Sequence, residues 1–346
     1  MSSHLSDDSP REYFQLGPFT APRIWTGLWQ LSSNAWGSAP VSKIRQGMAR
    51  YVEQGYTAFD MADHYGSAEI IYGQFRQSLP SPERVIGATK WCVFRPTEAT
   101  RAVVEAAVFE RIERMQTQRV DLLQFHWQNY ADPGYLPALQ ILHEMQNEGH
   151  ISAIGLCNFD AVRTDEICTT LGPGVIVSNQ VQFSVIDTRP LHGMADVCER
   201  HNVKLLTYGT LCGGFLADKW LDKPQPDLYS GTLTPSQRKY LDMIVKAWGD
   251  WDLFQSLLKV LRAIGDRHGG LSIANIATRW VLDHQSFVGA VIIGARLGVS
   301  EHPDDNQKVF GFTLSSEDHA TIEAVLDRSN GRRLIASVGD CGAEYR

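Results

Sequence analysis

Short apolar segments alternate with longer helical segments along almost the whole of this 346-residue chain. Apolar or β-branched runs a few residues long are typical of buried strands, whereas the stretches between them repeat apolar residues at helical spacings of three and four. The strand-like runs cover residues 23–29, 57–62, 85–90, 121–126, 151–157, 175–182, 204–208 and 289–294. Strands that alternate with helices, with no Pro/Gly/Ser-rich linker between them, predict a single closed (β/α)8 TIM barrel of the α/β class.

Two segments depart from this alternation. A β-hairpin is expected near residues 13–19, before the first barrel strand. The long loop after strand seven, residues 210–251, contains a helical pattern over 235–248, and the rest of it either folds over the barrel mouth or is a surface elaboration. We therefore expect a mobile N-terminal arm at 1–11, the barrel at 12–330, and a tail at 331–346 that either closes the barrel mouth or is mobile.

Composition and charge exclude several classes of protein. Hydrophobic residues make up 43% and charged residues 21% of the chain, which are ordinary values for a globular protein. The net charge of −7 argues against nucleic acid as a partner. Six cysteines without a Cys-x-x-Cys pair indicate neither a disulfide framework nor structural zinc. Without an apolar stretch typical of a membrane span or a signal peptide, the sequence predicts a reduced cytoplasmic protein with no membrane partner.

Ionisable side chains follow three of the predicted strands. In a β/α barrel the active site lies at the carboxyl ends of the strands, which is where Asp60, Lys90 and His126 stand. Tyr65 follows shortly after Asp60, and Gly66 allows a turn that brings the tyrosine back over the barrel mouth. Buried charges are costly unless they are paired, so we expect these groups to form one compensated network.

This set of side chains suits proton donation to a carbonyl group. A phenol has a pKa of about 10, and a nearby ammonium such as Lys90 lowers that pKa by stabilising the phenolate. Asp60 would hold Lys90 in place, and His126 would donate or accept one hydrogen bond at the substrate oxygen. A metal is not expected, because the Asp-x-x-Asp-His segment at 60–64 has no matching His-x-His pair.

The sequence resembles the aldo-keto reductase superfamily over roughly residues 12–330. The resemblance rests on residues 55–69, on Lys90 and His126, on Ile-Gly-Leu-Cys-Asn-Phe at 154–159 and on Ser-Asn-Gln-Val at 178–181. It implies reversible hydride transfer between a nicotinamide dinucleotide and a carbonyl or alcohol. In this scheme Tyr65 is the general acid for reduction and Lys90 tunes it. Asp60 pairs with Lys90, and His126 orients the carbonyl.

The resemblance also implies a set of cofactor contacts. Asn158 and Gln180 would bond the nicotinamide carboxamide beside Cys157, which replaces the usual Ser, and Tyr208 would stack on the nicotinamide ring. The other implied contacts are Asp60, Gly27, Leu28, Trp29, Gly209, Thr210, Leu211, Gly294, Ala295, Arg296, Asp305 and Asn306. Because the guanidinium of Arg296 can clasp a ribose phosphate, we predict NADPH rather than NADH.

An aromatic-walled substrate pocket is expected at the barrel mouth. Trp29, Trp91 and Trp127 follow strands one, three and four, and with Tyr65 and His126 they would enclose an apolar or aromatic aldehyde or ketone. Two other functions stay open at this point: a cofactor-binding regulatory subunit resembling potassium-channel β subunits, and a non-redox pathway enzyme that uses the same site. The sequence points to no particular oligomeric state.

Overall fold

Eight parallel strands close into a barrel in the computed structural model, which describes residues 10–346. Each barrel strand pairs in parallel with the next one along the chain, and the last pairs with the first. The predicted (β/α)8 barrel is thereby confirmed. The barrel strands are β3 Ile24–Gly27, β4 Ala58–Asp60, β5 Ile86–Val93, β6 Val120–Trp127, β7 Ile151–Cys157, β8 Ile176–Gln182, β9 Lys204–Tyr208 and β10 Val288–Gly294.

Helices follow each barrel strand and surround the sheet. Their apolar residues recur on one face, as in α1, where Ile44, Met48, Tyr51 and Val52 are buried. The helices are α1 Val41–Glu53, α2 Ala68–Gln77, α3 Arg101–Arg114, α4 Tyr135–Asn147, α5 Ala161–Leu171, α6 Met194–His201, α7 Pro235–Asp242, α8 Trp251–Arg267, α9 Ile273–Leu282, α10 Pro303–Gln307, α11 Ser316–Leu326 and α12 Leu334–Val338.

Alternate residues of each barrel strand face the barrel interior. Side chains of successive strand residues point to opposite faces of a sheet. On β5, Ala88 packs in the interior core, so Lys90 and Cys92 also point inward, towards the mouth. On β6, Leu122 packs in the same interior core, which directs His126 inward as well. The odd-numbered residues of these two strands therefore face the surrounding helices.

An antiparallel hairpin covers the bottom of the barrel. Its strands, β1 Tyr13–Leu16 and β2 Phe19–Pro22, confirm the hairpin expected in this region. Leu16 and Ala21 are buried in the interior core with Trp25, and Phe14 packs against that core. Gly289 makes room for the hairpin, since a Cβ there would lie 2.3 Å from the Phe14 ring. The opposite end of the barrel is therefore the open mouth.

The long loop after the seventh barrel strand crosses the barrel mouth. It contains two short 3₁₀ turns, at Cys212–Gly214 and Asp218–Trp220, and then α7, which is continued by a π-helical segment at Met243–Trp248. The helix predicted at 235–248 is thus an α-helix followed by a wider π turn. Ser236 of α7 accepts a hydrogen bond from Trp36 Nε1 at 3.2 Å, which joins this loop to the segment after β3.

The C-terminal tail also packs against the barrel mouth. Arg189, 1% exposed, donates to Asp187 and to both carboxylate oxygens of Glu344, at 2.9 and 3.0 Å. Gly342 is buried against Asn158, and a Cβ on Gly342 would lie 2.1 Å from the Asn158 carbonyl oxygen. Of the two alternatives for residues 331–346, the structure therefore places the tail over the mouth. Residues 1–9 of the expected N-terminal arm lie outside the described residues.

Candidate active site

A buried ion pair lies at the carboxyl ends of β4 and β5. Lys90 Nζ donates to both carboxylate oxygens of Asp60, at 2.9 and 2.8 Å, and to the carbonyl oxygen of Met61 at 2.9 Å. Asp60 Oδ1 also accepts from Gln124 Nε2 at 2.8 Å and from Gln180 Nε2 at 2.7 Å. Burial is the largest single influence on the pKa of Lys90 and lowers it, but Asp60 together with Tyr65 and Cys157 raises the pKa by more. The net direction is therefore upward, and the ammonium stays charged.

Tyr65 lies above this ion pair, in the turn between β4 and α2. Gly66 follows it with φ +58°, in the left-handed region that glycine adopts without strain. Arg114 of α3 holds the turn by donating to the Gly66 carbonyl oxygen at 2.6 Å and to Glu69 at 2.6 Å. The ring centroid of Tyr65 is 5.1 Å from Lys90 Nζ, so the two predicted partners are neighbours.

The pKa of Tyr65 moves upward overall, contrary to the sequence expectation. Burial is the largest cause and raises the pKa above the ordinary value of about 10. Lys90 lowers it, as expected from its charge, but Asp60 raises it again and cancels part of that effect. The phenol therefore keeps its proton at neutral pH and is able to donate it.

His126 points into the cavity from β6 and is almost fully buried. Its Nδ1 lies 3.0 Å from the carbonyl oxygen of Cys157, which can only accept, so Nδ1 carries a proton. Burial lowers the pKa of His126, and the cationic Arg346 acts in the same direction. The ring is thus neutral, and its Nε2 is a hydrogen-bond acceptor. That atom is buried and has no partner among the described residues.

These residues line one large cavity of about 620 Å³ at the barrel mouth. The volume is typical of a site for a small molecule or cofactor. Most of the residues assigned from the sequence are brought together here. They are Gly27, Trp29, Asp60, Tyr65, Lys90, His126, Cys157, Asn158, Gln180, Tyr208, Gly209, Thr210, Leu211, Gly294, Ala295, Arg296 and Asn306.

Four predicted site residues do not line the cavity. Trp91 and Trp127 follow inward-facing residues, so they point outward and pack around Phe125 in the outer core. Leu28 is fully buried in the same outer core. Asp305 instead accepts from Ser272 and Lys308. The structure therefore does not bring these four side chains together with the other predicted site residues, and their substrate and cofactor contacts stay predictions.

Two amide side chains, those of Asn158 and Gln180, each leave one polar group without a described partner at the cavity wall. Asn158 Oδ1 accepts from the Tyr208 hydroxyl at 2.8 Å, whereas no described residue accepts from Asn158 Nδ2. Gln180 Nε2 donates to Asp60 and to Gln124, and no described residue donates to Gln180 Oε1. A carboxamide offers one acceptor and one NH2 donor, which is the complement of this pair. The amides thus fit the carboxamide role assigned to them.

The cavity carries more positive than negative charge although the chain is acidic overall. Asp60 is the one carboxylate among its described lining residues, and Lys90 neutralises it. Lys219, Lys239 and Arg296 add three further cations. Over the described part of the chain, the guanidinium of Arg296 has neither an ion-pair nor a hydrogen-bond partner. An anionic ligand would find compensating charge here.

Gly209 lets the backbone after β9 lie close to the cavity. Its φ is +73°, and a Cβ at this position would lie 2.3 Å from the Tyr240 hydroxyl. A side chain would therefore be strained and would also displace α7. Gly209 thus brings backbone groups, rather than a side chain, to the cavity wall.

Cys157, which lines the cavity, is inert as an acid. Burial raises the pKa of the Cys157 thiol to about 12, so the group is a neutral, weak hydrogen-bond donor. All six cysteines are unpaired.

The sequence reasoning missed several residues at this site. Gln124 bonds Asp60 from β6, and counting alternate residues back from His126 would have found it. Tyr345 of the tail lines the cavity, with its hydroxyl accepting from Lys239 Nζ at 2.6 Å and its ring 6.4 Å from that of Tyr208. The position of Tyr345 depends on the packing of the tail against α7, and no local sequence pattern predicts it.

Within residues 10–346, no helix is long and apolar enough to span a bilayer.

A family model described as "Aldo/keto reductase family" matches residues 23–327. The chain is 26% identical over 318 residues to aldo-keto reductase YhdN of Bacillus subtilis (strain 168), an alignment that covers 89% of this chain and 91% of the relative. It is 24% identical over 339 residues to a chloroplastic pyridoxal reductase of Arabidopsis thaliana, covering 92% and 87%.

Solved structures share the fold. The glycerol dehydrogenase AKR11B4 from Gluconobacter oxydans aligns with 91% of this chain and 95% of its own, with a TM-score of 0.73 and 22% identity. An aldo-keto reductase from Klebsiella pneumoniae in complex with NADPH aligns with 92% and 95%, with a TM-score of 0.69 and 19% identity.

Proposed function

The chain belongs to the aldo/keto reductase family, and on this basis we propose that it is an NADPH-dependent oxidoreductase that reduces an aldehyde or ketone to an alcohol. The observation that carries the proposal is the grouping of Tyr65, the Lys90–Asp60 ion pair and the unpartnered His126 Nε2 at one cavity. Carbonyl reduction needs a proton donor, a cation that stabilises the conjugate base of that donor, and a second polar atom near the substrate oxygen.

The cavity residues fit a nicotinamide dinucleotide. Asn158 Nδ2 and Gln180 Oε1 match the carboxamide, the Tyr208 ring offers a stacking surface, and the Arg296 guanidinium offers an unpaired cation for a ribose phosphate. The NADPH bound to the Klebsiella pneumoniae relative supports a nicotinamide cofactor. When bound, the cofactor supplies the hydride.

The protein's own residues would manage the proton. As negative charge develops on the substrate oxygen, Tyr65 donates its phenolic proton to that oxygen, and the O–H bond of the alcohol forms as the phenol O–H bond breaks. The resulting phenolate is stabilised by Lys90, whose charge Asp60 fixes in place. Because neutral His126 accepts at Nε2, it would orient the product by accepting from the new hydroxyl. It would not act as an acid.

Tyr65→Phe tests the proton donor with a minimal change of shape. General acid catalysis contributes about 10²–10⁴-fold, so we expect kcat for reduction of a carbonyl panel to fall by about that factor. NADPH affinity, measured by fluorescence titration, should change by less than about threefold, since the phenol is assigned to the substrate. Tyr229→Phe, at an 88% exposed tyrosine, is the matched control.

A Tyr65→Phe variant that keeps kcat within tenfold of the parent protein would contradict the assignment. The redox step itself is tested with NADPH deuterated at the transferable position. Deuterium should appear on the carbinol carbon of the product. An unlabelled product would favour a non-redox reaction instead.

A further inference from the structure

Three potential metal ligands meet beside Tyr65. A carboxylate oxygen of Asp63, a ring nitrogen of His64 and the Cys92 sulfur all lie within 4.8 Å of one another. Asp63 holds the group together, since Oδ1 lies 3.0 Å from His64 Nδ1 and Oδ2 accepts from the Cys92 backbone N–H at 2.8 Å. Asp63 and His64 come from the turn after β4, whereas Cys92 comes from β5, so the cluster exists only in the folded chain.

The donor atoms of this cluster suit zinc. Zn²⁺ binds thiolate, imidazole and carboxylate at roughly 2.0–2.3 Å in tetrahedral sites, so its ligand atoms stand roughly 3–4 Å apart. Closing the cluster to that spacing requires side-chain shifts of about 1 Å. The His64 ring is 44% exposed and can make such a shift. One carboxylate and one thiolate would neutralise the ion, and Mg²⁺, which prefers oxygen ligands, would be excluded.

The open side of the cluster faces the catalytic cavity. His64 and Cys92 both line that cavity, and the His64 ring lies 4.8 Å from the Tyr65 ring. Phe94 packs against the rings of both His64 and His126, at 5.3 and 5.4 Å. The buried His126 Nε2, which lacks a partner among residues 10–346, faces the same space. Three protein ligands and one open position are the arrangement of an accessible zinc site.

We propose that Asp63, His64 and Cys92 form a Zn²⁺ site at the edge of the catalytic cavity, and that zinc bound there inhibits carbonyl reduction. The inhibition rests on the proposed function, because the ion would stand beside Tyr65 and block the approach of a substrate oxygen to it. The binding of zinc does not rest on it. The spacing within residues 60–64 alone predicts no metal site, because the third ligand, Cys92, comes from the next barrel strand.

Cobalt substitution tests the site without any activity measurement. The whole protein, treated with chelator and titrated with Co²⁺, should develop a thiolate-to-cobalt charge-transfer band and the visible bands of tetrahedral cobalt, which Zn²⁺ then bleaches. Cys92→Ser should abolish the charge-transfer band. His64→Gln, at a side chain that is 44% exposed, should weaken Zn²⁺ binding by at least about 100-fold, since even losing a partner outside the coordination sphere costs about 10–100-fold.

Cys157→Ser is the matched control, because it removes the other thiol that lines the cavity. This variant should keep the cobalt spectrum. A cobalt spectrum without a thiolate band, or equal Zn²⁺ affinity in the parent, Cys92→Ser and His64→Gln proteins, would overturn the site.

Inhibition is measured separately. Zn²⁺ should inhibit NADPH-dependent reduction in the parent protein, with reversal by chelator, at concentrations that leave His64→Gln unaffected. Mg²⁺ should have no effect. If Zn²⁺ fully displaces Co²⁺ from the site and turnover is not slowed, the inhibitory role is overturned. A protein that turns over no carbonyl at all would refute the proposed function, whereas the cobalt spectrum would still decide the metal site.

Discussion

Replacing Asp60 with Asn should destabilise the protein strongly without changing the shape of the side chain. Asp60 accepts four hydrogen bonds, two from Lys90, one from Gln124 and one from Gln180, and the Lys90 and Asp60 side chains are 3% and 5% exposed. Asn would point an NH2 donor at these donors and leave the Lys90 charge buried without compensation. Breaking a buried pair in this way costs about 3–5 kcal/mol.

This cost converts into a measurable shift in Tm. An unfolding entropy of about 2.1 cal/mol/K per residue gives about 0.7 kcal/mol/K for 346 residues, so that 3–5 kcal/mol corresponds to a Tm lower by about 4–7 °C. Scanning calorimetry or near-ultraviolet circular dichroism would measure it. Asp222→Asn is the matched control: its partner Lys259, 3.2 Å away, is 63% exposed, so the expected loss is below about 1 kcal/mol.

A double variant separates the uncompensated charge from general damage to the site. Adding Lys90→Met to Asp60→Asn removes the buried ammonium, so the double variant should be more stable than Asp60→Asn alone. The reasoning is refuted if Asp60→Asn lowers Tm by no more than the Asp222→Asn control. It is also refuted if the two single losses simply add in the double variant.

Three further predictions concern the cofactor, the tail and the proton donor. Arg296→Gln should weaken NADPH binding by about 10–100-fold, as expected for the loss of a hydrogen bond to a charged group. NADH binding, measured by the same fluorescence titration, should stay nearly unchanged. Equal losses of affinity for the two cofactors would contradict the phosphate role. Burial is the largest single influence on the pKa of Glu344 and raises it, but Arg189, with a smaller contribution from Lys239, lowers the pKa overall. Ionised Glu344 therefore stabilises the folded protein. This stabilisation is fully present above the unfolded pKa of about 4.3 and is lost as pH falls through the folded pKa. Urea unfolding of Glu344→Gln should therefore depend less on pH in that acidic window than unfolding of the parent protein, and equal dependence would count against the Arg189–Glu344 contact. Because the pKa of Tyr65 is raised above about 10, kcat/KM for alcohol oxidation should rise about tenfold per pH unit through the alkaline range up to about pH 9; a plateau near neutrality would refute that direction.

The barrel and the ends of its strands could be predicted because both depend on local patterns. Apolar runs mark the strands, and a charged residue directly after such a run marks a strand end at the mouth. Asp60, Lys90 and His126 were found in this way, and the structure brings them to one cavity. The orientation of neighbouring residues needed one more step. Counting by two from Lys90 places Trp91 outside the barrel and Cys92 inside it, as the structure shows.

Contacts that depend on long-range packing could not be predicted from the sequence. Tyr345 reaches the cavity because Glu344 is bound by a buried arginine more than a hundred residues earlier in the chain. The direction of the Tyr65 pKa depends on how fully the ring is buried, which neighbouring residues do not reveal. Asp305 stands next to a cavity-lining residue, yet its own side chain is engaged by Ser272.

The placement of cations in the cavity has a consequence for the speed of binding. The net negative charge of the chain repels an approaching anionic dinucleotide, whereas Lys219, Lys239 and Arg296 attract it to the cavity at the barrel mouth. Such focusing raises the rate of productive encounters and weakens as salt screens it over about 10 Å at 0.1 M ionic strength. Productive encounters with an anionic ligand are thereby concentrated at the barrel mouth, and ionic strength sets how often they succeed.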